Sequence, residues 1–229
     1  IGFLNYCEHE FSVRERGLTG ANGYDPADAF NDIRRMRGMT DYVIVVYHGG
    51  NEYYPLPRPG LKKDFHFLAD AGADAVIGHH THVISGYEIH NGKPLVYSLG
   101  NFFFPYPGEP ESWHRGVLCR LTIDETVTMK LIPVIQCRDG SGVVMPSPGE
   151  ESEIHSEIDR LSAIIMNDAE LGKSWSEYAR TTGAGLAYRV LYPTRADKLL
   201  LKIPFLRRFV SSSERHRSLL NVLRCRSLE

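Results

Sequence analysis

The sequence is poor in cysteine, with four in 229 residues, and Cys7, Cys119, Cys137 and Cys225 stand far apart without a CxxC pair. That spacing excludes a zinc knuckle and offers no disulfide framework, so they are expected to be mostly reduced, buried small residues. Long apolar runs are missing as well. The longest, YVIVVY, falls far short of the roughly 18 residues that span a bilayer, and neither a signal peptide nor an anchor is read in the chain. There is no P-loop, no GxGxxG and no G-x-S-x-G elbow, so nothing indicates a phosphate-cradling loop or a serine nucleophile. Internal repeats, low-complexity segments and nucleic-acid motifs are absent. The chain opens without Met on IGFLNYC, which reads as a buried strand, and polypeptide is expected upstream of it.

An apolar content of 42% is enough for one large domain, or one domain with an appendage. The formal charge of -2 hides an asymmetry. Residues 189–229 carry ten Lys or Arg against three acids, about +7, which leaves about -9 on the rest. Either a helical region with solvated basic faces or contact with an anionic surface or polymer accounts for this.

After the first strand, EHEFSVRERGLTGANGYDP is polar and Gly-rich, a surface connection ending in the helix start Asp25-Pro26. PADAFNDIRRMRG puts Ala29, Ile33 and Met36 on one helical face, with Gly38 as the stop. DYVIVVYH is too continuously apolar for a half-exposed strand and is expected at the centre of a sheet. LKKDFHFLADAG, striped by Leu61, Phe65, Leu68 and Ala69, is a second helix, and ADAVIG a further buried strand. Strand, helix and strand within about 40 residues make the crossover unit of a layered α/β protein. Antiparallel pairing follows, with one hairpin around Asn91-Gly92 and another around Asp124-Glu125. From about residue 151 the pattern is helical, with Ile154, Ile158, Leu161 and Ile165 in register and further helices expected over 174–192, 196–210 and 214–225.

The two buried strands end in polar clusters, YHGGNEY and GHHTH, where an open α/β sheet places its ligands. In an extended segment His80 and His82 project to one face while His79 and Thr81 project to the other, so H-x-H forms a two-point clamp for a divalent transition metal. If the strands are neighbours, His48 joins them. Gly78 lets the backbone turn sharply, Gly49 and Gly50 allow close approach beside His48, and Glu52 supplies the nearest carboxylate. His79 is a supporting residue, a substrate contact or a ligand; Asn101 in SLGN hydrogen-bonds a substrate or caps the turn. His9, His66, His90, His114, His155 and His216 read as packing or surface residues. His66 sits mid-helix beside the Phe65 stripe, and no acidic or histidine partner is read for it.

Taken together, HGGNEY (48–53), YYPLPRP, AGADAVIGHHTH (71–82), the hairpin E-x-x-x-G-K-P-L-V-Y and SLGNFFF (98–104) resemble the CapA family over about residues 1–135. These are bacterial poly-gamma-glutamate capsule synthesis proteins, similar to calcineurin-like metallophosphoesterases. The resemblance implies a layered α/β/β/α sandwich whose N-terminal part is missing here, with residues 1–145 as the C-terminal part of that domain and 146–229 as a helical extension packed on it. It implies a metal-dependent phosphoesterase-like hydrolase in capsule or cell-envelope polymer metabolism. His48, His80 and His82 would be metal ligands, Glu52 a ligand or water-orienting base, His79 and Asn101 supporting or substrate-binding residues, and the ions Mn, Fe or Zn. Against the family pattern H-W-G-x-E-Y and G-H-H-P-H, Gly49 stands for Trp and Thr81 for Pro, which removes a wall of the pocket but leaves H-x-H intact. The superfamily also uses a Gly-Asp and an Asn-His motif from the N-terminal half, and this chain contains neither pair. The resemblance therefore implies the C-terminal part of a longer, envelope-associated protein, or one that has lost half its site. The alternatives are a non-catalytic assembly factor binding a polyanionic polymer or a membrane synthase, and a metal-assisted amidase.

Overall fold

The computed structural model describes residues 1–8, 20–106 and 108–191. The helices expected over 196–210 and 214–225, together with His9, His216 and Cys225, lie outside the described residues. Alternating strand and helix fold as the crossover pattern requires: β1 (Gly2–Cys7), α1 (Pro26–Arg37), β2 (Val43–His48), α2 (Pro59–Ala71) and β3 (Ala75–His79). The hairpin β4 (Tyr87–His90) and β5 (Lys93–Val96) completes a five-stranded sheet in the order β1-β2-β3-β5-β4, parallel except for β4 at its edge. Asn91 and Gly92 both take positive φ, 51° and 79°, as a tight two-residue turn demands. A second sheet is antiparallel, β6 (Arg115–Ile123), β7 (Val127–Gln136) and β8 (Val143–Val144), and is followed by α3 (Pro148–Met166) and α4 (Asp168–Leu191).

The two-residue period of the strands sorts the core into layers. Val45, Tyr47, Val76, Leu95 and Tyr97 face Ala29 and Ile33 of α1 and Leu61, Phe65 and Leu68 of α2. On the opposite face, Ile77 and Val96 meet Val117 and Leu131, while Ile44 and Ala75 meet Val127, Leu121 and Ile123 of the second sheet. The protein is thus the layered α/β sandwich expected, helices on one sheet and that sheet on another. α3 closes its β4 side, with Ile154 and Ile158 in the inter-sheet cluster and Leu161 and Ile165 in the helix-side cluster. Ser147 and Glu150 form a reciprocal capping box at its start. α4 begins at Asp168, six residues ahead of the expected helix, because the Asn167 side chain accepts the Glu170 amide at 3.2 Å and starts the helix there.

Three expectations are corrected. β1 is an edge strand rather than a fully buried one: Tyr6 faces the helices, but Phe3 is 60% exposed because the second sheet overlies β2, β3 and β5 and no described element covers β1 on that side. His66 does have partners, and they come from another element: its Nε2 lies 2.7 Å from Glu88 Oε1, and its ring stacks on His90 of the hairpin with centroids 4.0 Å apart. Periodicity along one helix cannot show a contact made across elements. Cys119 and Cys137 are free thiols, as expected, but they and Cys7 are only half-buried; burial still pushes the Cys119 thiol up to about 11.

Candidate metal centre

β2 and β3 are hydrogen-bonded neighbours, and their register sets His48 opposite His79 at the carboxyl ends of both strands. The chain then leaves the sheet abruptly. His80 has φ 108° and His82 φ 62°, so residues 80–82 form a left-handed turn rather than an extended strand, and the alternation expected for H-x-H does not operate. Positive φ on non-glycine residues costs of order 1–3 kcal/mol each and persists where the surroundings enforce it. Thr81, buried between the two histidines, supplies that enforcement. Its hydroxyl donates to the Val83 carbonyl at 2.9 Å and pairs with the Ser98 hydroxyl at 2.8 Å, joining the turn to the SLGN segment. Gly78 contributes differently from what its sequence position suggested. Its φ is not positive, and its role is close approach: a Cβ there would lie 2.2 Å from the Tyr97 carbonyl oxygen.

The turn brings the imidazoles together. His80 Nδ1 lies 3.1 Å from His48 Nε2, and the His80 and His82 ring centroids are 6.0 Å apart. Glu52, His80 and His82 each offer one ligand atom, all within 4.8 Å of one another. Two imidazoles and a carboxylate are the donor set of divalent transition metals such as Zn, Mn or Fe. Ligand atoms around one tetrahedral ion at about 2.1 Å are separated by about 3.4 Å, somewhat closer than the 4.8 Å that bounds this trio, whose Glu52 side chain is exposed. The residues present fit one divalent ion.

The surroundings select a tautomer. Asn101, 6% exposed, donates from Nδ2 to the carbonyls of His82 and Trp113 at 3.2 and 3.0 Å, which fixes the orientation of its amide. Its Oδ1 therefore faces His82 Nδ1 at 2.9 Å, and that nitrogen must carry the proton, leaving Nε2 as the ligating atom. The other face of His82 is covered by Trp113, stacked at 4.6 Å, which also stacks on Tyr53 at 5.4 Å. A cavity of about 610 Å³ runs from Cys7 past His48, His79, His80 and His82 to Asn101. His79 lines the same cavity as the others instead of facing away. Burial, and after it the neighbouring His48, hold its imidazole below the usual histidine range.

Sequence reasoning missed three contributors. Trp113 lies far along the chain from HHTH, and its signal was rarity alone, one of two tryptophans. Glu8 fell within a stretch read as a polar connection and Arg58 within the Pro-rich YYPLPRP, yet both are almost fully buried beneath the 48–52 segment. The space that a larger residue would need at Gly49 is taken by Glu8 and the Tyr47 ring. Burial, and after it Glu8, push the Tyr47 phenol far above its usual range.

Residues 2–106 match the family described as "Bacterial capsule synthesis protein PGA_cap". Over 104 residues the chain is 34% identical to the PGA biosynthesis protein CapA of Bacillus subtilis, covering 45% of this chain and 27% of that protein. Over 146 residues it is 27% identical to the capsule biosynthesis protein CapA of Bacillus anthracis, covering 62% of this chain and 32% of that one. A "Probable polyglutamine synthesis accessory protein" of Mycobacterium tuberculosis is 38% identical over 68 residues, 30% of this chain and 18% of its own. The matched segments thus span about a third or less of these relatives.

Proposed function

Because residues 2–106 match the bacterial capsule synthesis protein family, we propose that this chain carries a divalent-metal site for hydrolysis of a phosphoester in capsule or cell-envelope polymer metabolism. The gathering of Glu52, His80 and His82 within 4.8 Å supports this reading above all else. When bound, a divalent ion lowers the pKa of water toward neutrality and polarises a phosphoryl oxygen, so no protein nucleophile is needed. The ion is Mn, Fe or Zn in this proposal.

The chain's own residues then divide the work. His80 and His82 present imidazole nitrogens, and Asn101 holds the His82 Nδ1 proton so that Nε2 stays available. His48 hydrogen-bonds His80 from the end of β2 and steadies that ring, its own nitrogens lying outside the trio of ligand atoms gathered within 4.8 Å. Glu52 completes that set or, released from it, orients a water on the substrate. His79 lines the cavity beside them, where a phosphoryl oxygen would lie. Trp113 and Tyr53 wall off one side of His82, excluding water from that face. A polyanionic substrate suits the charge of about +7 on residues 189–229.

Turnover of a generic aryl phosphate, with and without Mn, tests the proposal. The expected result is metal-dependent turnover that falls by about 100-fold in His80→Ala. A metal-loaded protein that turns over nothing, with polymer binding unaltered in His80→Ala, would instead describe a non-catalytic assembly factor. Cleavage of gamma-glutamyl amides but not phosphoesters would describe an amidase.

A further inference from the structure

Beneath the segment that carries His48 and Glu52 lies a buried ion pair that the proposed chemistry leaves unused. Glu8, just past β1, is 2% exposed, and Arg58, at the start of α2, is 4% exposed. Arg58 Nη2 donates to Glu8 Oε1 at 2.6 Å, and the Gly50 amide donates to Glu8 Oε2 at 3.3 Å. The Glu8 amide donates to the His48 carbonyl at 2.9 Å, so residue 8 grips the chain on both sides of Gly49. Asp64, on the same helix as Arg58, stands 4.0 Å from the guanidinium.

Two glycines make room for the pair. A Cβ on Gly49 would lie 2.5 Å from Glu8 Cγ, and one on Gly60 would lie 2.4 Å from Arg58 Nη1. Both are contacts that real side chains do not make without a shift of the neighbour. The local sequence is therefore shaped around these two charges from both ends. Burying an ion pair brings little net stability over a well-packed apolar pair, so stability alone is a weak reason for the arrangement. Its location gives a better one. The carboxylate lies under the backbone between His48 and Glu52, whose flanks are tied to the histidine turn by Gly49 N to His79 O at 3.0 Å and Tyr53 N to Thr81 O at 2.8 Å.

We infer that Glu8 and Arg58 are positioning residues that hold backbone 48–52 in the conformation where Glu52 meets His80 and His82. The inference rests on the metal reading given above. It predicts that metal affinity depends on two residues that touch no ligand atom.

The test is a cobalt(II) titration followed by visible absorption on the wild type, Glu8→Gln, Arg58→Lys and Ile158→Val, with hydrogen–deuterium exchange of residues 48–53 in the metal-free proteins. Glu8→Gln and Arg58→Lys should each weaken cobalt binding by about tenfold or more and speed exchange over 48–53. Ile158→Val trims a core residue of α3 and should change neither readout. Where Glu8→Gln fails to fold, Arg58→Lys carries the test, since it keeps the charge but loses the planar fork. Wild-type cobalt affinity in both variants overturns the inference, as does an equal loss in Ile158→Val. A wild type that binds no cobalt removes the metal reading and the positioning role together; faster exchange in Glu8→Gln would then mark a purely structural pair.

Discussion

Which nitrogen of His82 is free to bind a metal depends on Asn101, because an amide that donates to two backbone carbonyls has one oxygen left to offer, and His82 takes it. Replacing Asn101 with Leu, of the same branched shape, deletes that acceptor and strips the His82 and Trp113 carbonyls of a donor. The expected outcome is about 10–100-fold weaker cobalt binding, with an unfolding free energy in urea lower by about 1–3 kcal/mol. Unchanged affinity with lowered stability would reduce Asn101 to a turn residue. Asn101 was visible in the sequence as a polar residue at a strand end, but its role was not, since the carbonyls that orient it come from a distant turn and from residue 113.

Between elements, the clearest electrostatic joint is Lys62 of α2, which donates to the Ile165 carbonyl at 2.8 Å and to Asp168 at 2.7 Å where α3 gives way to α4. The hydrogen bond and charge of Lys62 hold the Asp168 carboxyl below its usual 3.8. A depressed folded-state value means that the stabilisation is complete above 3.8 and is lost as pH falls through the lower, folded value. Trp175 of α4 lies against Tyr54, with centroids 6.0 Å apart, and reports the docking. In a Trp113→Phe background its emission should change as pH falls below 3.8, and Asp168→Asn should flatten that change. Identical profiles would contradict the account. The elements themselves were largely legible: apolar runs marked β2 and β3, Asn-Gly the hairpin, and a stripe of Ile and Leu marked α3. The start of α4 was not, because a side-chain cap at Asn167 fixes it. Nor was the left-handed turn at His80–His82, where packing through Thr81 and Ser98 overrides the local preference for extended backbone.

Across the whole molecule, the candidate centre sits at the carboxyl end of the five-stranded sheet, beside a face of β1 that no described element covers. The layers, the neighbouring strands and the convergence of His48, His80 and His82 could be anticipated from the order of hydrophobic runs. The buried Glu8–Arg58 pair could not, since a charged residue in a polar stretch reads as solvated until its partner's position is known. The central claim is that Glu52, His80 and His82 hold one divalent ion, and equilibrium dialysis against Zn and Mn with metal quantification tests it most directly. The account predicts about one ion per wild-type chain and loss of that ion in both His80→Ala and His82→Ala. Equal metal content in the wild type and these variants would contradict it.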